Sequence, residues 1–486
     1  MLAPLRSCPV PSLLVCALGV GSVGIGAQEL TDPASFVGSW AGSLDTGGGQ
    51  LRLVFHVELE EDGGLTGSLD SPDQGATGIP ATSVTAQGRS LAFSIDNLGM
   101  TFEGMLSEDG NGIEGTFRQG PAELPLSLTR AEAPEGPERP QHPEPPFPYR
   151  SEDVRFGSTE AGTILAGTLT APHGEGPFPG AVLVSGSGPQ DRDETLMGHK
   201  PFLVLADHLT RSGIAVLRYD DRGVAESSGD FASATSEDFA DDALAAVDWL
   251  GSRPEVSSVG IIGHSEGGLI APMASMRSEQ VAFVVLLAGP GLTGAEILEL
   301  QSELVNRAEG TPEEVIELNR SVQNRLFQVV REEPDREAAA PRLRAVLEEA
   351  LAELPDDLRE AMGPAANPEA LDAQVAQVNS PWFRFFLQYD PRPTLAKVNV
   401  PVLALNGEKD LQVPAQVNLR EIRSALERGG NPDVTARLLP SLNHLFQEAE
   451  TGSPSEYARI PQTMSPVVLE AVSDWILTRF GAPSGR

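Results

Sequence analysis

Five continuous apolar runs in the second part of the chain constrain its fold most: Gly180–Val184, Ile214–Tyr219, Val259–Ile262, Phe283–Leu287 and Val400–Leu405. Runs without polar alternation suit strands buried on both faces. Helical stretches separate them, as in Pro201–Arg211, Glu237–Leu250 and Glu266–Met276. Strand alternating with helix predicts a mostly parallel sheet with helices on both faces. Over 292–394 the alternation stops. That stretch is rich in Glu, Ala, Leu and Arg at helical spacing, and it delays the next core strand by roughly a hundred residues, far beyond an ordinary connection. It reads as an inserted helical cap, with charge runs such as Glu332-Glu333 and Glu348-Glu349 as its solvated faces.

The front of the chain has another texture. Segments such as Leu51–Val57, Ser90–Ile95 and Ile113–Phe117 are short, alternate apolar with polar, and are separated by Gly, Asp and Asn turns. That pattern predicts an all-β sandwich or barrel over 30–130, an accessory module without catalytic spacing; His56 sits mid-strand with no evident partner. Residues 131–149 are dense in Pro and Glu and read as a stiff, extended linker. The α/β domain then runs over 150–482. A chain of 486 residues is in any case too long for one ordinary core.

Residues 1–27 read as an export signal: Arg6, a mostly apolar stretch Leu13–Val23, then small Gly24, Gly26 and Ala27. The stretch is short and Gly-rich against the roughly 20 residues of a membrane span, and bulky Val15 before Cys16 argues against a lipoprotein box. The expectation is an exported protein, periplasmic or extracellular, without stable membrane insertion. Both cysteines, Cys8 and Cys16, fall in this segment, so the mature chain would carry no thiol chemistry. A net charge of −35 repels phosphate backbones and makes nucleic acid an unsuitable partner. Gly19–Gly24 matches G-x-G-x-x-G but precedes no helix. With no metal-ligand or P-loop pattern either, no cofactor and no metal is implied. Oligomeric state is not readable.

Gly263-His264-Ser265-Glu266-Gly267 matches G-x-S-x-G, between an apolar run and a helical stretch. Strand, sharp turn and helix is the setting that lifts a nucleophilic serine above a sheet. Of seven histidines only His444 follows Ser265, on a loop beyond the late apolar run Val434–Leu439, and it is the candidate base. His264 is taken as structural. Asp410 follows the strand ending at Leu405 and is the candidate acid that orients the base, with Glu408 and Asp433 as alternatives; Asp390 comes too early. Oxyanion donors are expected at the backbone N–H of Glu266 and in the loop Ser185–Pro189, at Ser187, with Gly186 and Gly188 beside it. Asp191, Arg192 and Asp193 read as an ion-paired brace of that loop, with shaping of the site entrance as the alternative. Trp382 and Phe383 either wall an acyl pocket or form the core of the cap.

The stretches Ser185–Glu194 (SGSGPQDRDE), Arg218–Ser227 (RYDDRGVAES), GHSEG at 263–267, Leu405–Pro414 (LNGEKDLQVP) and Ser380–Phe386 resemble bacterial α/β hydrolases of the esterase and acyl-hydrolase type. The likeness covers roughly 151–480. It implies the α/β-hydrolase fold, the triad Ser265, Asp410 and His444, and hydrolysis of small carboxylic esters with short acyl chains through an acyl-enzyme. Relatives that cleave peptides or thioesters are the alternative, and a non-catalytic binding protein a further one. Ser185 departs from the His that many hydrolases carry before the oxyanion loop.

Overall fold

The computed structural model describes residues 33–481 apart from 46–49, 60–62, 72–75, 96–97, 120–121, 132–138, 161 and 355–367. The expected export segment 1–27 lies outside the described residues. The chain divides into two units, residues 1–136 with 340–377, and residues 137–339 with 378–486.

In the first unit, strands β1 (Gly38–Asp45), β2 (Gln50–Leu59), β3 (Leu65–Ser71), β4 (Ala76–Pro80), β5 (Ser83–Gln87), β6 (Ser90–Ile95), β7 (Met100–Leu106), β8 (Gly112–Gln119) and β9 (Ala122–Ala131) form one antiparallel sheet. β1 pairs with β9 on one side and β2 on the other, and β3 pairs with β2, β4 and β5. The ladder therefore closes: of the two expected architectures this is the barrel, which leaves few free edges. Alternate residues of β7 are buried, and the interior is filled by side chains such as Phe55, whose ring lies 5.0 Å from Phe93 and 5.1 Å from Phe102. His56 does have partners. Its Nδ1 is 2.9 Å from Ser39 Oγ and its Nε2 2.8 Å from Asp70 Oδ2. The reading of a partnerless histidine is corrected, because cross-strand neighbours are invisible to local sequence. Ser39 lies on a strand paired on both sides, where backbone N–H groups serve the ladder.

The second unit holds a sheet of order β10-β11-β13-β12-β14-β15-β16-β17, made of β10 (Arg150–Gly157), β11 (Ile164–Ala171), β12 (Phe178–Val184), β13 (Ala215–Tyr219), β14 (Val256–His264), β15 (Val281–Leu287), β16 (Val402–Gly407) and β17 (Val434–Leu439). β10 and β11 pair antiparallel, as do β11 and β13; from β13 to β17 every pairing is parallel. The apolar runs bury both faces. Val182, Ile261, Val284 and Ala404 pack on one side with the helices Ser236–Gly251 and Ala415–Arg428. Leu183, Ile262, Val285 and Leu403 pack on the other with Pro201–Arg211 and Pro466–Phe480. Each buried Val, Leu or Ile side chain among them contributes roughly 1.5–3 kcal/mol. β12 lies between β13 and β14, so the strand order reverses there, and in open α/β sheets ligands bind beyond the strand C-termini at such a reversal.

Helices fill the interval between β15 and β16, among them Gly294–Ala308, Glu313–Glu332, Arg336–Glu353, Pro368–Val378 and Pro381–Gln388. Buried Arg384 ties part of this cap together by donating to Asn379 Oδ1 at 2.8 Å and to the carbonyls of Val330 and Glu333. The described end of the expected linker, 139–149, is seated on the second unit. Arg139 donates to the carbonyls of Ile460 (2.6 Å), Ala458 (2.8 Å) and Met197 (3.0 Å), and Gln141 exchanges hydrogen bonds with Thr463 and Met464. Proline keeps such a segment extended, but its neighbours find carbonyl acceptors some 320 residues away in sequence. Among the described residues no helix is long and apolar enough to cross a membrane.

Candidate active site

Ser265 sits on the turn between β14 and the helix Gly267–Arg277 with φ of +52°, a left-handed conformation that costs energy in a non-glycine residue. Its N–H donates to the Leu287 carbonyl at 2.9 Å, and its own carbonyl accepts from Gly268 N–H at 2.8 Å. The flanking glycines are sterically required. A Cβ on Gly263 would lie 2.0 Å from the Gly267 carbonyl oxygen, and one on Gly267 would lie 2.2 Å from that of Val184. The sharp turn therefore exists only with the small residues that the sequence supplies.

His444 and Asp410 meet from separate loops. Asp410 follows β16 and His444 follows β17; both are buried, and His444 Nδ1 lies 2.8 Å from Asp410 Oδ2. Asp410 Oδ1 accepts from the N–H groups of Gln412 and Val413, each at 2.8 Å. Three hydrogen bonds thus engage both oxygens of that carboxylate and set its orientation. The His444 loop is clasped by Asn443, whose Oδ1 accepts from Leu445 and Gln447 N–H and whose Nδ2 donates to Gln447 Oε1. The other carboxylates weighed are engaged elsewhere: Glu408 accepts from Ser441 N–H, Asp433 pairs with Arg479 and Asp390 with Arg392.

The loop after β12 lies against Ser265. A Cβ on Gly186 would be 3.2 Å from that of Ser265. Gly186 N–H donates to Glu194 Oε1 at 2.8 Å, so it is occupied. The N–H groups of Ser187 and Glu266 have no acceptor among the described residues. Ser185 Oγ donates to Asp221 Oδ1 (3.0 Å), and Gln190 N–H donates to Asp221 Oδ2 (3.0 Å), which pins both ends of the loop; burial pushes the Asp221 carboxyl well above its usual range. Gly188 has φ of +95° and supplies the bend between them. Asp191, Arg192 and Asp193 do form a brace. Arg192 grips Asp220 through Nε (3.0 Å) and Nη2 (2.7 Å), Asp193 pairs with Arg218, and Asp191 accepts from the N–H groups of Asp193 and Thr195.

A family described as serine aminopeptidase, S33, matches residues 200–362, a span that includes Ser265 but neither Asp410 nor His444. Esterase EstD of Thermotoga maritima is 28% identical over 317 residues, 64% of this chain and 65% of EstD; the chain thus spans just under two thirds of that curated relative's length. Among solved structures, an esterase of Pyrococcus furiosus is 16% identical, with 72% of this chain and 99% of that one covered and a TM-score of 0.42. For Est1E of Butyrivibrio proteoclasticus the values are 16%, 68%, 99% and 0.38. With the parallel sheet, its strand reversal and the serine turn at the end of β14 in place, the assignment follows. The chain has the α/β-hydrolase fold.

Two features of this site escape sequence reasoning. Glu266, named only for its N–H, also has a buried carboxyl whose Oε1 accepts from Ser236 Oγ (2.6 Å) and from Trp382 Nε1 (2.8 Å). Burial raises its pKa, against these hydrogen bonds and one from the Ser187 hydroxyl. Trp382 thus reaches from the cap to the residue after Ser265 and stacks on Phe386 at 5.2 Å, whereas Phe383 packs on Phe327. Glu194, the last residue of the quoted loop motif, is the second. Its φ of +54° turns a carboxylate inward, and no local sequence signal announces that. His264 Nδ1 lies 2.8 Å from its Oε1.

Proposed function

We propose that this α/β-hydrolase is a serine hydrolase that cleaves carboxylic esters of short acyl chains through an acyl-enzyme on Ser265. The observation that carries the reading is the Asp410–His444 hydrogen bond of 2.8 Å, formed beyond the C-terminal ends of the parallel strands, where Ser265 also sits in its strained turn. Ser265 Oγ attacks the ester carbonyl while His444 Nε2 takes the hydroxyl proton. The oxyanion is stabilised by the N–H groups of Ser187 and Glu266. The carbon–oxygen bond to the alcohol then breaks, and the alcohol leaves with the proton from His444. Water attacks the acyl-enzyme by the same route, returning the proton to Ser265. Asp410 holds the tautomer with its proton on Nδ1.

EstD's description as an esterase supports ester substrates. The family description keeps a peptidase as the second reading. An aminopeptidase needs an acid to hold the substrate amine, but Glu266, the acid beside the nucleophile, already has an oxygen engaged by Ser236 and Trp382. The test is a ladder of p-nitrophenyl esters, from acetate to long chains, beside aminoacyl p-nitroanilides. Fast turnover of short esters supports the reading, and preference for anilides replaces it with the peptidase. Silence on both favours a thioesterase or a binding role. We also propose that residues 1–27 direct export. A mature N-terminus near Gln28 would support that, and an intact Met1 in exported protein would not.

A further inference from the structure

One side chain links three parts of the site. Glu194 is 5% exposed, and its Oε1 takes both the Gly186 N–H and His264 Nδ1, each at 2.8 Å. His264 is buried, and its Nε2 lies 3.1 Å from the main-chain oxygen of His444; the two imidazole rings are 4.9 Å apart. A carbonyl oxygen only accepts, so His264 Nε2 carries a proton and donates it to His444. Gly186 N–H only donates, so Glu194 Oε1 is an acceptor on that side. Burial opposes a charged His264, but the Glu194 charge and hydrogen bond outweigh it and raise its pKa above the ordinary value. The pair is therefore an internal strut between the loop beside Ser265 and the loop that carries His444. Its strained backbone at Glu194 is the kind of local cost that persists where function requires it.

We propose that Glu194 and His264 are positioning residues for acyl transfer: Glu194 occupies the Gly186 N–H and so leaves the Ser187 N–H for the oxyanion, and through His264 it fixes the main chain of His444. The inference rests on the reading of Ser265 as the acylated nucleophile. It predicts that the pair acts on kcat through the geometry of base and donors, with substrate binding little changed.

The full chain would be compared as wild type, Glu194→Ala, Glu194→Gln, Glu194→Asp and Ser265→Ala, with p-nitrophenyl acetate and butyrate as probes and circular dichroism as the check on folding. Glu194→Ala should lower kcat by about 10²–10³, the scale of one lost oxyanion donor, with KM within about threefold. Glu194→Gln should recover to within about tenfold of wild type, because its amide oxygen, in the place of Oε1, still accepts from Gly186 N–H and still faces His264 Nδ1. Glu194→Asp keeps the charge but shortens the reach by one methylene, and covers the case in which the alanine variant does not fold; it should lose at least about tenfold in kcat. Wild-type kcat in folded Glu194→Ala or in Glu194→Asp overturns the inference, and so does equal loss in the Ala and Gln variants. Turnover that survives Ser265→Ala overturns the reading beneath it, whereas a dead Ser265→Ala beside an active Glu194→Ala overturns this inference alone.

Discussion

Replacing Asp410 by Asn removes one charge and almost no volume, yet the surroundings dictate what the amide must do. In the native site Oδ1 accepts two backbone N–H groups, from Gln412 and Val413 at 2.8 Å each, while Oδ2 faces His444 Nδ1 at 2.8 Å. The asparagine oxygen must stay with the two N–H donors, since presenting NH₂ to them would leave buried groups unpaired at about 1–3 kcal/mol each. The NH₂ then points at His444 Nδ1 and donates to it. The ring is forced into the tautomer protonated on Nε2, which cannot take the proton from Ser265. The expected loss in kcat is about 10⁴, equivalent to about 5.4 kcal/mol at about 1.36 kcal/mol per decade. KM and the thermal midpoint should stay near wild type, because the Oδ1 contacts survive. Turnover of p-nitrophenyl butyrate at neutral pH measures it. A folded Asp410→Asn variant within tenfold of wild-type kcat would refute the assignment of Asp410 and the tautomer argument together.

Burial holds the pKa of His199 down to about 4, against the hydrogen bond to the Tyr457 carbonyl. A folded value depressed below the unfolded one means stability present above about pH 6.5 and lost as pH falls towards 4. Urea unfolding at pH 7.5 and 4.5 should therefore show wild type losing more stability than His199→Gln, and equal losses would contradict this. Arg139→Ala strips three carbonyls of their donor and should destabilise by about 2–3 kcal/mol in denaturant titrations; an unchanged midpoint would mean that 139–149 is not a fixed part of the fold. Trp382→Phe keeps the ring but removes the N–H to Glu266, at an expected cost of about 1.5–3 kcal/mol for a hydrogen bond to an ionised group. That cost should be largest at high pH, where the Glu266 carboxyl is charged, and a pH-independent effect would sink the argument.

How much of this was legible in the sequence depended on how local each signal was. The parallel strands after residue 178 declared themselves because burial on both faces removes alternation, and Ser265 because only glycine fits at 263 and 267. His444 followed from elimination, and Asp410 from its place just past a strand. The hairpin strands β10 and β11 carry no such signal, since the first has polar residues on an exposed face and the second mixes Ala, Gly and Thr with its Ile and Leu. Sandwich and barrel share the same two-residue period, and only the β1–β9 pairing separates them. Glu194 looked like any other acid in a chain with 69 of them. Its role depends on a backbone angle and on a histidine 70 residues away, neither of which composition or spacing encodes. Trp382 was open between pocket wall and cap core for the same reason, as its indole partner lies 116 residues away.

The most direct test of the central claim is to treat the full chain with a p-nitrophenyl alkylphosphonate and map the adduct by tandem mass spectrometry. The account predicts one equivalent of p-nitrophenol released, a single phosphonylated residue at Ser265, and ester turnover lost in proportion. An adduct at another residue, or undiminished ester hydrolysis in protein fully labelled at Ser265, would contradict it.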